Sequence, residues 1–237
     1  MFRCYFVKIK YPVNQSGNSS VIMPLVYQHN INAAAKLGVW HIAEEKDFFL
    51  LQVPLQNKIT HPHKQLQHLA GRYLLKALYP DFPYELIRIA DTRKPFLENE
   101  AYHFSISHCG DYAAAMVSST KRVGVDVELI TNKVARVKHK FLSDKEQAML
   151  ETIENSSIKL LYDSLLTAAW SIKESLYKWY GDGEIDFKEH LHIDEIYLTG
   201  DSGIAQCTVL KNAPIFLQVH LLFFNNNCIS WVMSEEE

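Results

Sequence analysis

Cysteine is scarce and scattered: Cys4, Cys109, Cys207 and Cys228 stand far apart, with no CxxC pair and no zinc-ligand spacing. That argues against a disulfide framework or a cysteine metal centre, and reduced thiols in a cytoplasmic protein are expected. Long apolar runs are missing too. None approaches the ~20 residues needed to cross a bilayer, and Met1 to Pro12 interleaves Arg3, Lys8 and Lys10 with apolar residues as a strand does, unlike a signal peptide. Excess positive charge is absent: 24 Lys and Arg against 27 Asp and Glu give a net charge of −3 and a pI near 6.4. A nucleic-acid surface is therefore not the main business of the chain, and any basic site must be local. His61, His63 and His68 do not make a zinc site, since a spacing of five is poor for one helical face and no acidic or Cys partner lies nearby. Residue identity shows no internal repeat.

What remains is ordinary for a globular protein. The chain has 237 residues, 48% hydrophobic and 22% charged, enough for one large core or two of about 120 residues each. Residues 1–11 alternate like a strand, 14–20 form a polar loop, and Val21 to Tyr27 and Gly38 to Ile42 read as strands. Glu44 to Leu55 reads as a short helix stopped near Pro54; His61 to Leu78 is a stronger one, with Leu66, Leu69, Tyr73 and Leu74 at helical spacing. Strands are expected at Tyr84 to Ala90, Tyr102 to Ser107, Tyr112 to Ser118 and Val123 to Leu129. Ser143 to Glu146 is a capping box that starts a helix, and Ile158 to Trp179 supports a long one ending at Gly181. Ile193 to Leu198, Ile204 to Leu210, Ile215 to Phe224 and Cys228 to Met233 read as antiparallel strands.

Chemistry concentrates in two segments. In Gly124-Val125-Asp126-Val127-Glu128 the valines alternate, so Asp126 and Glu128 share the opposite face with Cα atoms roughly 6.5–7 Å apart. Both carboxylates could reach one hard cation, and without it they repel. In Trp170-Ser171-Ile172-Lys173-Glu174-Ser175-Leu176-Tyr177-Lys178, Trp170, Ile172, Leu176 and the following Trp179 are available for packing, while Glu174 and Lys178 lie one helical turn apart. A third carboxylate, Glu174, would complete an all-oxygen half-shell suited to Mg²⁺ and a diphosphate. Taken singly, the first segment is a solvated strand edge and the second carries an ordinary helical ion pair worth roughly 0.2–0.5 kcal/mol. Phe104-Ser105-Ile106-Ser107-His108-Cys109-Gly110-Asp111, a strand running into a turn just upstream, tips the balance.

The ordered set Lys94-Pro95, Ser105 to His108, Gly124 to Glu128, Phe141 to Glu146 and Trp170 to Lys178 resembles the 4′-phosphopantetheinyl transferases, specifically their double-length, surfactin-synthetase-activating group, over about residues 61–190. The resemblance implies an α+β fold of two similar subdomains, 1–118 and 119–237, related by pseudo-two-fold symmetry with the active site between them. It implies transfer of phosphopantetheine from coenzyme A to a serine of an apo acyl, peptidyl or aryl carrier protein, in a monomer with pseudo-dimeric halves, without nucleic acid or membrane. Asp126, Glu128 and Glu174 would hold Mg²⁺; Glu174 would be the base, with Lys178 at the leaving bisphosphate and Lys173 facing the same anionic region. His108, with Ser107, would meet the nucleotide's phosphates, Lys94 its adenine, and Lys64, His68 or Arg72 a phosphate. Glu146 matches an acidic position of the family, yet its capping box explains it equally well. Two other readings stand beside this one: a non-catalytic coenzyme A or nucleotide-binding protein, and an unrelated Mg²⁺-dependent phosphohydrolase. The chain departs from the family at Ser105, where Asn is common, and at Arg93, where Gly usually precedes Lys-Pro.

Overall fold

The computed structural model describes residues 24–55, 59–155 and 161–234. The expected strand over 1–11, the loop over 14–20, the first residues of the strand expected from Val21, the start of the helix expected from Ile158, and Cys4 all lie outside them. In chain order, a hairpin of β1 (Leu25–Asn30) and β2 (Ala35–His41) leads to a short helix α1 (Lys46–Leu50) and a long one, α2 (Pro62–Leu78). A small ribbon, β3 (Ile87–Ile89) and β4 (Pro95–Leu97), precedes β5 (His103–Cys109), β6 (Tyr112–Ser118) and β7 (Val123–Leu129). Helices α3 (Lys138–Phe141), α4 (Asp144–Glu154) and α5 (Tyr162–Tyr180) follow. The chain then closes with β8 (Leu191–Thr199), β9 (Ser202–Leu210), β10 (Pro214–Phe224) and β11 (Asn227–Met233).

This is an α+β architecture with two principal antiparallel sheets, ordered β1-β2-β6-β5 and β7-β11-β10-β9-β8. Each carries one long helix. In α2 the apolar stripe of Leu69, Leu74, Leu75 and Leu78 is buried, and the helix comes so close to β5 at Gly71 that an added Cβ would stand 2.6 Å from the Ile106 methyl. In α5 Leu165, Leu166, Ile172, Leu176 and Trp179 are buried, and Gly124 of β7 lets the helix backbone at Ser175 and Trp179 settle directly on the strand. Gly181 ends α5 in the left-handed conformation at φ 81°, as expected for a helix terminus. A third apolar cluster joins the two sheets: Leu37, Val39, Ala114 and Met116 of the first meet Val123, Val125, Val127, Ile229 and Trp231 of the second.

Three expectations shift. The strand expected from Tyr84 begins as a 3₁₀ turn at Tyr84–Leu86, because the Tyr84 hydroxyl donates to the Arg72 carbonyl at 2.6 Å and ties that turn to α2. β4 is not expected from the sequence; three residues opening on a proline show too little alternation to read. And β7 is no solvated edge, since Val123 to Val127 are all buried between β11, β5 and α5.

Candidate active site

β5 and β7 run beside each other where the two sheets meet. They share no backbone ladder, for β5 pairs with β6 and β7 with β11. Side chains bridge the seam instead. The Ser105 hydroxyl accepts from Val125 N at 3.0 Å, the Ser107 hydroxyl donates to Asp126 Oδ1 at 2.8 Å, and Cys109 Sγ accepts from Leu129 N at 3.4 Å. Ser105, Ser107 and Cys109 are alternate residues of one strand and so share one face.

The carboxylates sit along that seam. Asp126 is 2% exposed; its Oδ1 takes the Ser107 hydroxyl and the Lys178 ammonium at 2.7 Å, while its buried Oδ2 has no partner among the described residues. Lys178 Nζ also donates to Ser107 Oγ at 2.8 Å, so lysine, serine and aspartate form a closed triangle. The ion pair of Lys178 is therefore with Asp126 across the seam, not with Glu174 one turn away, because α5 lies against β7 with Lys178 aimed over its edge. Glu128 Oε1 accepts from the Trp170 indole at 3.1 Å, and burial together with repulsion from Asp126 raises its pKa above the usual carboxylate range. Glu174 is pushed up to about 7, first by burial, then by Asp126, against the opposing pull of Lys178.

Such an arrangement calls for positive charge. Three desolvated carboxylates with one ammonium among them, and a buried oxygen accepting nothing, form an all-oxygen donor set of the kind hard divalent cations take. Among the described residues no three His, Cys, Asp or Glu side chains are drawn into one metal-ligand cluster.

On the first-half side, several cationic side chains and imidazoles gather. Arg72 is 6% exposed; its guanidinium contacts His68 Nδ1 at 2.9 Å, while its Nε and His68 Nε2 are buried and have no partner among the described residues. Burial, then Arg72 and His108, lowers His68 to about 4 and keeps its ring neutral. His108, exposed at the end of β5, is also held below its usual range, by desolvation and the nearby Lys178 and Lys64. Lys64 is exposed on α2. Lys94 stands over the C-terminus of α5, 3.4 Å from the Trp179 carbonyl, and burial and Arg122 lower its ammonium to about 8. A cleft of about 200 Å³ runs from Lys178 and Ser105 past Tyr177 to Lys94 and Pro95, and a second of about 260 Å³ continues beyond Lys94 towards Arg122 and Tyr180.

Two expected residues lie elsewhere. Lys173 does not face the anionic region: it is fully buried in the second-half core, its ammonium donating to Glu146 at 2.8 Å and to the Phe141 and Phe187 carbonyls at 2.6 and 2.9 Å. Five positions on from it, Lys178 points to the opposite side of the same helix. Glu146 is structural. It completes the capping box with Ser143, accepts from Ile193 N at 2.9 Å and neutralises Lys173. Conversely, sequence reasoning misses Trp170 and Cys109 as partners of Glu128. The signal is in their spacing, Trp170 one turn before Glu174 and Cys109 two residues after Ser107.

Residues 122–227 match the family model described as the 4′-phosphopantetheinyl transferase superfamily. The matched segment covers less than half of the chain. It holds the metal-candidate carboxylates and Lys178. Among curated relatives, enterobactin synthase component D of Escherichia coli (strain K12) is 32% identical over 133 residues, covering 54% of this chain and 62% of that protein. The protein of the same name from Salmonella austin is 31% identical over 119 residues, 50% and 49% of the two chains. L-aminoadipate-semialdehyde dehydrogenase-phosphopantetheinyl transferase of Xenopus laevis is 27% identical over 133 residues, 48% and 43%. The chain thus spans between about half and three-fifths of the length of the enterobactin synthase relatives it matches. Neither the phosphohydrolase nor the non-catalytic reading gains anything from these similarities.

Proposed function

We propose that the chain transfers 4′-phosphopantetheine from coenzyme A to a serine hydroxyl of an apo carrier protein, giving the holo carrier and adenosine 3′,5′-bisphosphate. The observation that carries this reading is the electrostatic neighbourhood of Asp126, Glu128, Glu174 and Lys178, with Lys178 also lining a cleft that runs to Lys94 and Pro95, in a chain whose residues 122–227 match the transferase superfamily. Asp126, Glu128 and Glu174 are the residues to hold a magnesium ion, which when bound would supply positive charge against the diphosphate. Glu174 would act as the general base that takes the proton from the acceptor hydroxyl. Lys178 brings an ammonium to the leaving bisphosphate, and Ser107 orients both Lys178 and Asp126. His108, Lys64 and the Arg72–His68 pair offer cations and donors to the nucleotide phosphates, with Lys94 beside the adenine.

Further features fit the surfactin-synthetase-activating group of the superfamily. Each sheet carries one long helix, which supports two related subdomains, 1–118 and 119–237, with pseudo-two-fold symmetry, and a monomer with pseudo-dimeric halves is part of the same reading. No helix among the described residues is long and apolar enough to cross a membrane, and a cytoplasmic location is part of the same reading. Incubating the protein with coenzyme A, Mg²⁺ and a panel of apo carrier proteins tests the proposal: transfer adds roughly 340 Da to one carrier, as phosphoryl transfer of that group requires. Carriers of unchanged mass throughout, with coenzyme A intact, would refute it.

A further inference from the structure

The seam between β5 and β7 sets where the carboxylates stand relative to the first-half cations, yet backbone hydrogen bonds do not hold it. Three small side chains do, and the last of them stands beside Glu128. Cys109 accepts from Leu129 N through Sγ at 3.4 Å, which ties the strand end next to Glu128 to the first sheet. From the other side, α5 presents the Trp170 indole N–H to Glu128 Oε1 at 3.1 Å. Glu128 is thus held through its strand end from the first sheet and through its carboxylate by a donor from the helix of the second. Phe141 and Phe187 pack against the Trp170 ring at 5.0 and 5.5 Å between centroids, so the indole has little freedom to turn away.

We propose that Cys109 and Trp170 are positioning residues, a clamp of one thiol and one indole that fixes the Glu128 carboxylate for divalent-cation binding. The inference rests on the functional reading above and deepens it. The thiol neither attacks nor ligates. Donors that orient a ligating group typically account for 10–100-fold in metal affinity.

The test uses the whole protein with Mn²⁺ as probe, its free concentration read by electron paramagnetic resonance, beside transfer kinetics with Mg²⁺. Cys109→Ala should weaken Mn²⁺ binding about tenfold, and Cys109→Ser, which keeps a donor and an acceptor, should recover at least half of that on a logarithmic scale. Trp170→Phe keeps the ring stack while removing the N–H, and should weaken Mn²⁺ by a similar factor with the KM for coenzyme A changed less than about threefold. It serves alone if Cys109→Ala does not fold. Folded Cys109→Ala or Trp170→Phe protein that binds Mn²⁺ as tightly as the wild type overturns the clamp while leaving the functional reading intact. Wild-type protein that neither binds Mn²⁺ nor modifies any carrier overturns both.

Discussion

Replacing Lys173 by Met should unfold this protein well before it touches coenzyme A binding. The ammonium is fully buried and satisfies the Glu146 carboxylate and the carbonyls of Phe141 and Phe187. Methionine fills nearly the same volume but leaves Glu146 as a buried charge, still neutralised by nothing except the amide and hydroxyl donors of Ser143 and the amide of Ile193. Breaking a buried pair from one side destabilises by about 3–5 kcal/mol. For a chain of this size each kcal/mol moves the melting temperature by about 2–4 °C, so a fall of roughly 6–20 °C is expected. Coenzyme A affinity of the protein still folded at low temperature, measured by calorimetry, should stay within about twofold, since the side chain lies on the far side of α5 from Lys178. Circular dichroism melts of Lys173→Met and of the double variant Lys173→Met/Glu146→Gln complete the design. The double variant should recover part of the loss, because a side-chain amide in place of the carboxylate removes the stranded charge while keeping an acceptor for the cap. An unchanged melting temperature with coenzyme A binding weakened tenfold would refute this reasoning and return Lys173 to the ligand site.

Arg93 holds φ 66°, a conformation that favours glycine, so Arg93→Gly should raise stability by about 0.5–1 kcal/mol in urea unfolding; a loss would show that its side chain contributes more than the backbone strain. Gly124→Ala drives a methyl into the α5 backbone, with Trp179 N and Cβ only 2.8 and 2.9 Å from it, and should destabilise by about 2 kcal/mol or more, checked by the same unfolding curve. His68 titrates near 4 in the folded protein against an ordinary 6.5, so the unfolded chain takes up its proton first and stability falls as pH drops from about 6.5 towards 4. His68→Gln should flatten that part of the stability–pH profile, and an unaltered slope would place the lost stability on other groups.

The long periodic elements were legible in the sequence because burial and local chemistry agreed there. The stripe from Leu66 to Leu78, the Ser143 capping box and the Gly181 stop each carry their own physical signature, and α2, α4 and α5 lie where those signatures put them. The three residues of β4 have no such signature, although its partner β3 falls within the strand expected from Tyr84 to Ala90. The carboxylates of β7 and the lysine of α5 were legible as chemistry, yet their partners were not. Helical spacing pairs Glu174 with Lys178, but only the packing of α5 across Gly124 carries that ammonium to Asp126. Likewise, nothing in a Trp-x-x-Lys-Glu segment says which lysine faces inward. Five residues of helix separate a core ion pair from a cleft, and the direction of that turn is a tertiary fact.

Each principal sheet is drawn from one contiguous stretch of chain, the first closing at Ser118 and the second opening at Val123. The stretches differ in when they can finish. During synthesis the first sheet has all its described strands once β6 has emerged, whereas β7 finds its backbone neighbour only when β11 arrives, pairing Val123 with Met233 over the longest separation of any strand pairing among the described residues. Asp126 and Glu128 ride on that waiting strand. A ribosome that stalls, or a protease that trims the chain before Asn227, leaves the acidic strand without its ladder, so an incomplete chain cannot display a finished site.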